Sequence, residues 1–196
     1  KRGVQAWRSL APDLTVAYFN MTDPVVGGYT PEQVALRRAI ALSYDTEQEI
    51  RLIRKSQAIY AQSVVMPHTT GYDPKLKTEM SDYDPPRARA LLDLYGFVDR
   101  DGDGWRERPD GSPLVIEIAT EPDQVYRQYN DLWQKGAKEI GIRVRFETQQ
   151  WPEHLKAAEA GKLMFWALGW SATAPYSLPA LALYYGPQAG DRSLSR

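Results

Sequence analysis

An alternating α/β fold is what this sequence predicts, and three observations predict it. Short runs rich in apolar, β-branched and aromatic residues alternate along the chain with amphipathic stretches of helical period. Two of those stretches open on a cap followed by proline, Thr30-Pro31 and Asp84-Pro85, the combination that starts helices. One late strand alternates wet and dry residues, whereas the last is almost continuously apolar, so the strands differ in how many faces they bury.

The elements follow in order. "LTVAYFNM" reads as a strand ending near Asn20, and "TDPVVGGYT" as the loop after it. Thr30, Pro31 and Gln33 supply a cap, a first-turn proline and the amide of a capping box, so a helix follows with Ala35, Ala39 and Leu42 on one face. Asp45 caps a second helix across "TEQEIRLIRKSQ". After a long connection, Asp84 caps a third, with Ala88, Leu91, Leu92 and Tyr95 on one stripe and Gly96 just past its end. "PLVIEIAT" is a strand, and "QVYRQYNDLWQKGAKEI" a helix whose stripe is Tyr129, Leu132, Trp133 and Ile140. "IRVRFETQ" sets Ile142, Val144 and Phe146 against Arg143, Arg145 and Glu147. "WPEHLKAAEAG" is a short helix, "KLMFWALGW" a last strand expected to be buried on both faces, and "PYSLPALALYYG" the start of a further helical segment.

With 196 residues the chain is about one domain by length, and 43% hydrophobic with 25% charged residues suits a packed globular protein. No apolar run approaches the roughly 18 residues that a spanning helix needs. A net charge of -1 gives no electrostatic reason to expect nucleic acid or an anionic membrane surface as partner. Without cysteine there is no disulfide framework and no thiolate nucleophile. The chain opens on "KRGVQAW" with neither Met nor a signal peptide, and is expected to be a piece of something longer.

The densest polar motif is "DRDGDGWRERPDG". Counted from Asp99, it places Asp99, Asp101 and Asp103 at positions 1, 3 and 5, Gly104 at 6, the Trp105 carbonyl at 7, Glu107 at 9 and Asp110 at 12. That is the order of a calcium loop, in which alternate carboxylates of a tight turn point inward. Asp110 where a longer Glu is expected, the cation of Arg106 and the helix-blocking Pro109 depart from it. A bound calcium and a plain solvated turn into the next strand both fit the residues. His68 and His154 lack metal-ligand spacing or a nucleophile motif beside them, and nothing supports catalysis. A ligand surface is expected instead at "ALGWSATAPYS", because open α/β sheets bind at the carboxyl ends of strands. Trp170, Ser171 and Thr173 are its candidate residues, with Trp170 either contacting ligand or packing in the core.

In this order the segments resemble the family 5 extracellular solute-binding proteins of peptide and nickel ABC importers. "LRRAIALSYD" is similar to the family's helix pattern of Arg37, Ala39-Ile40 and Asp45, with Ser43 in place of Ala, and "YDPPRARALLDLYGFVDRDGDG", "IGIRV" and "GWSA" follow in the family's order. The resemblance covers nearly the whole chain. It implies a type II periplasmic-binding fold of two lobes, each a mixed sheet flanked by helices, of which residues 1–196 are a single, incomplete carboxy-terminal lobe. It implies further a periplasmic or extracellular protein that captures a peptide-like or other small solute and delivers it to an ABC permease in the membrane, without being an enzyme or needing a cofactor. A calcium-stabilised interaction module is the alternative. Many peptide-binding members carry an Asp shortly after the Trp, where it pairs with the peptide's amino group; Thr173 stands there in this chain.

Overall fold

The computed structural model describes residues 3–188. Four strands, β1 (Asp13–Phe19), β2 (Val115–Thr120), β3 (Arg143–Thr148) and β4 (Phe165–Ser171), form one sheet in the order β1-β4-β2-β3. β1 runs antiparallel to β4, while β2 is parallel to both β3 and β4, so the sheet is mixed as expected. The helices are α1 (Pro31–Leu42), α2 (Thr46–Gln48), α3 (Pro85–Leu94), α4 (Gln124–Glu139), α5 (Trp151–Glu159) and α6 (Leu178–Ala182). None of the described helices is long and apolar enough to cross a membrane.

The helix starts lie where the capping residues place them. Thr30 Oγ1 accepts from the Gln33 N–H at 3.4 Å while Gln33 Oε1 accepts from the Thr30 N–H at 3.3 Å, which closes the capping box of α1. Asp84 accepts from the Arg87 N–H at 3.0 Å, and Gly96 takes the left-handed conformation just after α3 at φ 80°. The second helix departs from expectation. Asp45 caps it through the Gln48 N–H at 2.8 Å, but α2 then widens into a π-helical turn, Glu49–Ile53, and ends well short of Gln57. Lys55 and Ser56 follow at φ 53° and 58°, a left-handed pair that ordinary L-residues avoid.

One face of the sheet carries the main core. Ile116, Ile118, Ile142 and Phe165 pack there against Leu36 and Ile40 of α1, Leu92 of α3 and Ala137 of α4. Each large side chain fully buried in this way contributes about 1.5–3 kcal/mol. Gly136 lets α4 close on the end of α1, since a Cβ there would lie 2.0 Å from the Ser43 carbonyl oxygen. The opposite face is covered by α5 through a smaller cluster of Ala158, Leu163 and Trp166.

β4 is not buried on both faces throughout. Phe165 and Trp166 are, but Ala167, Gly169 and Ser171 are exposed. The reason is topological: β2 meets β4 at one pair, Ile118↔Phe165, and beyond it β4 is paired with β1 alone. Helices seated on β2 cannot reach the rest, so β1 and β4 continue as a two-stranded ribbon.

Candidate functional site

Strand alternation gives the ribbon two unlike faces. Leu14, Val16 and Tyr18 stand opposite Trp170, Leu168 and Trp166 on one of them. There the Tyr18 ring stacks on Trp166 at 5.5 Å and on Tyr184 at 6.3 Å, and Trp170 Nε1 donates to Tyr18 Oη at 2.6 Å. Burial, together with the Tyr18 hydroxyl at 3.2 Å, holds the Tyr184 hydroxyl protonated well above the ordinary phenol range. Trp170 is half-buried, and its N–H is thus taken up by Tyr18.

The other face carries Asp13, Thr15 and Ala17 of β1 opposite Ser171, Gly169 and Ala167 of β4, every one exposed. Trp170 and Ser171 therefore look in opposite directions from one strand. This second face is floored by small side chains, and at Gly169 the nearest atom to an added Cβ is Thr15 Oγ1 at 4.0 Å.

A set of residues that sequence reasoning missed borders this floor. Arg54 donates from Nε to Glu49 Oε1 at 2.9 Å and from Nη2 to Thr15 Oγ1 at 3.3 Å, with its guanidinium 5.4 Å from the centre of the Tyr129 ring. Tyr44 donates to the other Glu49 oxygen at 2.7 Å, and its ring lies 4.1 Å from that of Trp133. Burial first, then Glu49, pushes the Tyr44 hydroxyl far above its ordinary pKa. For Arg54, burial works against the charge, but the bond to Glu49 and the neighbouring Tyr129 outweigh it and raise its pKa. The set was invisible because residues five apart diverge on an ordinary helix; the π turn, closed by the Arg54 N–H to the Glu49 carbonyl at 3.0 Å, brings them together. The unexpected left-handed pair at 55 and 56 was equally unmarked by glycine.

Thr173 is exposed on the loop after β4. That loop is tied down at both ends, by the Ala172 N–H to the Pro12 carbonyl at 2.8 Å and by the Thr70 N–H to the Pro175 carbonyl at 3.0 Å. Ser177 Oγ adds a bond to the Thr70 carbonyl at 2.5 Å.

In the acidic loop, the structure brings carboxylate oxygens of Asp99, Asp101, Asp103 and Glu107 within 4.8 Å of one another. Asp110 is not among them. Past Pro109 the chain turns, and the Asp110 carboxylate accepts from Ser112 Oγ at 2.6 Å and the Ser112 N–H at 2.9 Å, which hold its pKa low. Most of the remaining acceptors serve the loop itself: Asp99 takes the Gly102 and Gly104 N–H groups at 2.8 and 2.9 Å, Asp103 the Trp105 N–H at 2.9 Å, and Glu107 the Arg100 N–H at 2.7 Å. Asp103 also pairs with Arg143, whose guanidinium lies over the Trp105 ring at 5.7 Å. Arg106 leaves the loop altogether, bonding Asp93 and the Phe97 carbonyl at 2.5 Å and the Ile140 carbonyl at 2.8 Å. His68 is exposed in its loop, and His154 is buried in α5 with Nε2 unpartnered among the described residues.

A model of the family described as bacterial extracellular solute-binding proteins, family 5 Middle, matches residues 1–192. The Di/tripeptide-binding protein 2 of Pseudomonas aeruginosa is 31% identical over 129 residues, 65% of this chain and 22% of that protein. The Dipeptide-binding protein of Escherichia coli is 23% identical over 167 residues, 82% of this chain and 28% of that protein. Among solved structures, the mannohexaose-bound periplasmic oligopeptide-binding protein of a Thermotoga maritima ABC transporter superposes with a TM-score of 0.78 at 21% identity, over 95% of this chain and 35% of that one. The chain spans 22–28% of the length of the curated relatives it matches.

Proposed function

The chain belongs to the bacterial extracellular solute-binding proteins of family 5, and from that premise we propose that it supplies one lobe, the carboxy-terminal one, of a two-lobed protein that captures a small solute. The solute is closed between the lobes outside the cytoplasm, in the periplasm or extracellular space, and handed to an ABC permease in the membrane. The work is binding and release, not turnover. The observation that carries this reading is the second face of the β1–β4 ribbon: exposed, floored by Ala17, Ala167 and Gly169, and bordered by the anchored Arg54. A sheet face without large side chains lets an extended ligand lie close to the backbone, and half of a cleft is completed only when a second lobe closes on it.

Peptide-like solutes are the first class to test, given the di- and tripeptide names of the curated relatives. The mannohexaose of the Thermotoga neighbour shows that the fold alone does not select a peptide. By the family resemblance Thr173 stands where many peptide-binding members carry an acid; a neutral hydroxyl cannot balance an ammonium, and a hydrogen bond to a charged group is worth about 1.5–3 kcal/mol, so an amino-terminal ammonium would lose that anchor here. Calorimetry on the intact protein tests both points, using di- and tripeptides with free and acetylated amino ends. Acetylation is expected to leave affinity unchanged or improved. Tight binding that acetylation abolishes, and that Thr173→Asp barely improves, would show the amino-end inference to be wrong.

A further inference from the structure

We propose that Arg54 is the anion-recognition residue of the solute surface, and that the solute carries a carboxylate docked against the Nη edge of its guanidinium above Thr15 and Gly169. This rests on the reading of the open ribbon face as the solute surface.

Three features of the geometry support it. The guanidinium is held from one side only. Its Nε is spent on Glu49 and one Nη2 hydrogen on Thr15, whereas Nη1 makes no hydrogen bond among the described residues, and the side chain remains 33% exposed. A guanidinium offers five donors in a fork that matches a carboxylate, so an edge of it remains for a ligand. Glu49 does not compete from the open side. Its two oxygens are taken by Arg54 and Tyr44, and its side chain is 16% exposed, so the pair presents its positive end to the face. The side chain is also anchored before any ligand arrives. The π turn, the Tyr129 ring beneath the cation and the left-handed pair Lys55-Ser56 hold Arg54 in place, which removes the ordering cost that a free arginine would carry into binding.

The floor below that edge is suited to the main chain of a ligand more than to a bulky side chain, because Ala17, Ala167 and Gly169 leave the backbone approachable. Asp13 is the acid on this face of the two strands, and it stands at the far end, opposite Ser171 rather than beside Gly169. An anion placed against Arg54 thus meets no carboxylate on the adjoining ribbon positions 15, 17, 167 and 169.

The test uses the intact protein and a panel of N-acetylated dipeptides with aliphatic, aromatic and polar side chains, each prepared as the free acid and as the carboxamide, titrated by calorimetry. The wild type is expected to bind at least one acid about tenfold or more tightly than its amide, as the loss of a charge-assisted bidentate pair implies. That ratio should fall to about one in Arg54→Gln and partly survive in Arg54→Lys. Because Arg54→Gln leaves Glu49 without its cation, the double variant Glu49→Gln/Arg54→Gln provides a second measurement with no half-buried charge unpaired, and it should lose the preference as well. Equal binding of acids and amides by the wild type, or a preference that persists in both variants, overturns the assignment of Arg54 while leaving solute binding intact. Failure of every acid and every amide to bind the wild type overturns the assignment together with the peptide-like reading on which the panel is chosen.

Discussion

Along β1 and β4 the same two strands build two different materials. Near Phe19 and Phe165 the pair is packed from both sides, with ring centres 4.6 Å apart and Trp133 edge-on at 5.0 Å. A few residues further on, the face that held those rings carries Ala17, Thr15 and Asp13 opposite Ala167, Gly169 and Ser171, all open to solvent. Both halves are strand with the same ladder, so hydrogen bonding does not distinguish them. What changes is the neighbour: β2 accompanies β4 at Phe165 and then leaves it. A strand's residues become core or surface according to what is packed on the sheet at that point.

That contrast can be broken most directly by substitution in each half. Phe165→Ala should cost about 3–5 kcal/mol of unfolding free energy in the intact protein, the usual figure for emptying a buried aromatic site. Gly169→Ala should stay within about 0.5 kcal/mol, since its Cβ would meet nothing closer than 4.0 Å. Comparable losses in urea unfolding would mean that the distal half is buried in the working protein and that the contrast is false.

A smaller effect sharpens the role of the turn beside that half. Ser56 sits at φ 58°, where an L-residue pays about 1–2 kcal/mol, while glycine costs about 0.5–1 kcal/mol more to order from the unfolded chain. Ser56→Gly is therefore expected to stabilise by about 0.5–1 kcal/mol and to raise the melting temperature. A loss instead would indicate that the Ser56 side chain itself holds the turn.

The smallest expected effect concerns an exposed polar region built on the opposite plan. The acidic loop uses its carboxylates on its own N–H groups and on Arg143, whereas on the ribbon face a guanidinium edge of Arg54 meets no acceptor among the described residues. Calcium at 10 mM should therefore change the stability of the intact protein by less than about 0.3 kcal/mol. A gain of about 1.4 kcal/mol would correspond to a Kd near 1 mM, within the range of extracellular calcium modules, and would make the loop a metal site after all.

Much of the fold was legible in residue order alone, because caps, prolines and period act locally. Thr30, Asp45 and Asp84 start their helices, Gly96 follows the end of α3, and Ile142, Val144 and Phe146 turn toward the core as alternation requires. The resemblance carried by "LRRAIALSYD" and "GWSA" points to the family from residue order alone. What residue order left undecided lies where partners distant in sequence decide, or where a local turn departs from the regular helical period. Hydrophobicity could not reveal that β4 loses β2 after one pair, nor that Trp170 turns its N–H to Tyr18 and away from Ser171. In the acidic loop, Ser112 holds Asp110 apart from the four carboxylates that gather there. The Arg54 set was hidden most deeply, since a helix read at 3.6 residues per turn keeps Glu49 and Arg54 apart. By itself the sequence determined where the capped helices start, which runs are strands and which family they compose, for those rest on neighbours within a few residues. The tertiary structure alone decided which strand residues face solvent and which cation stands beside them, because both depend on what another part of the chain covers and what it leaves open.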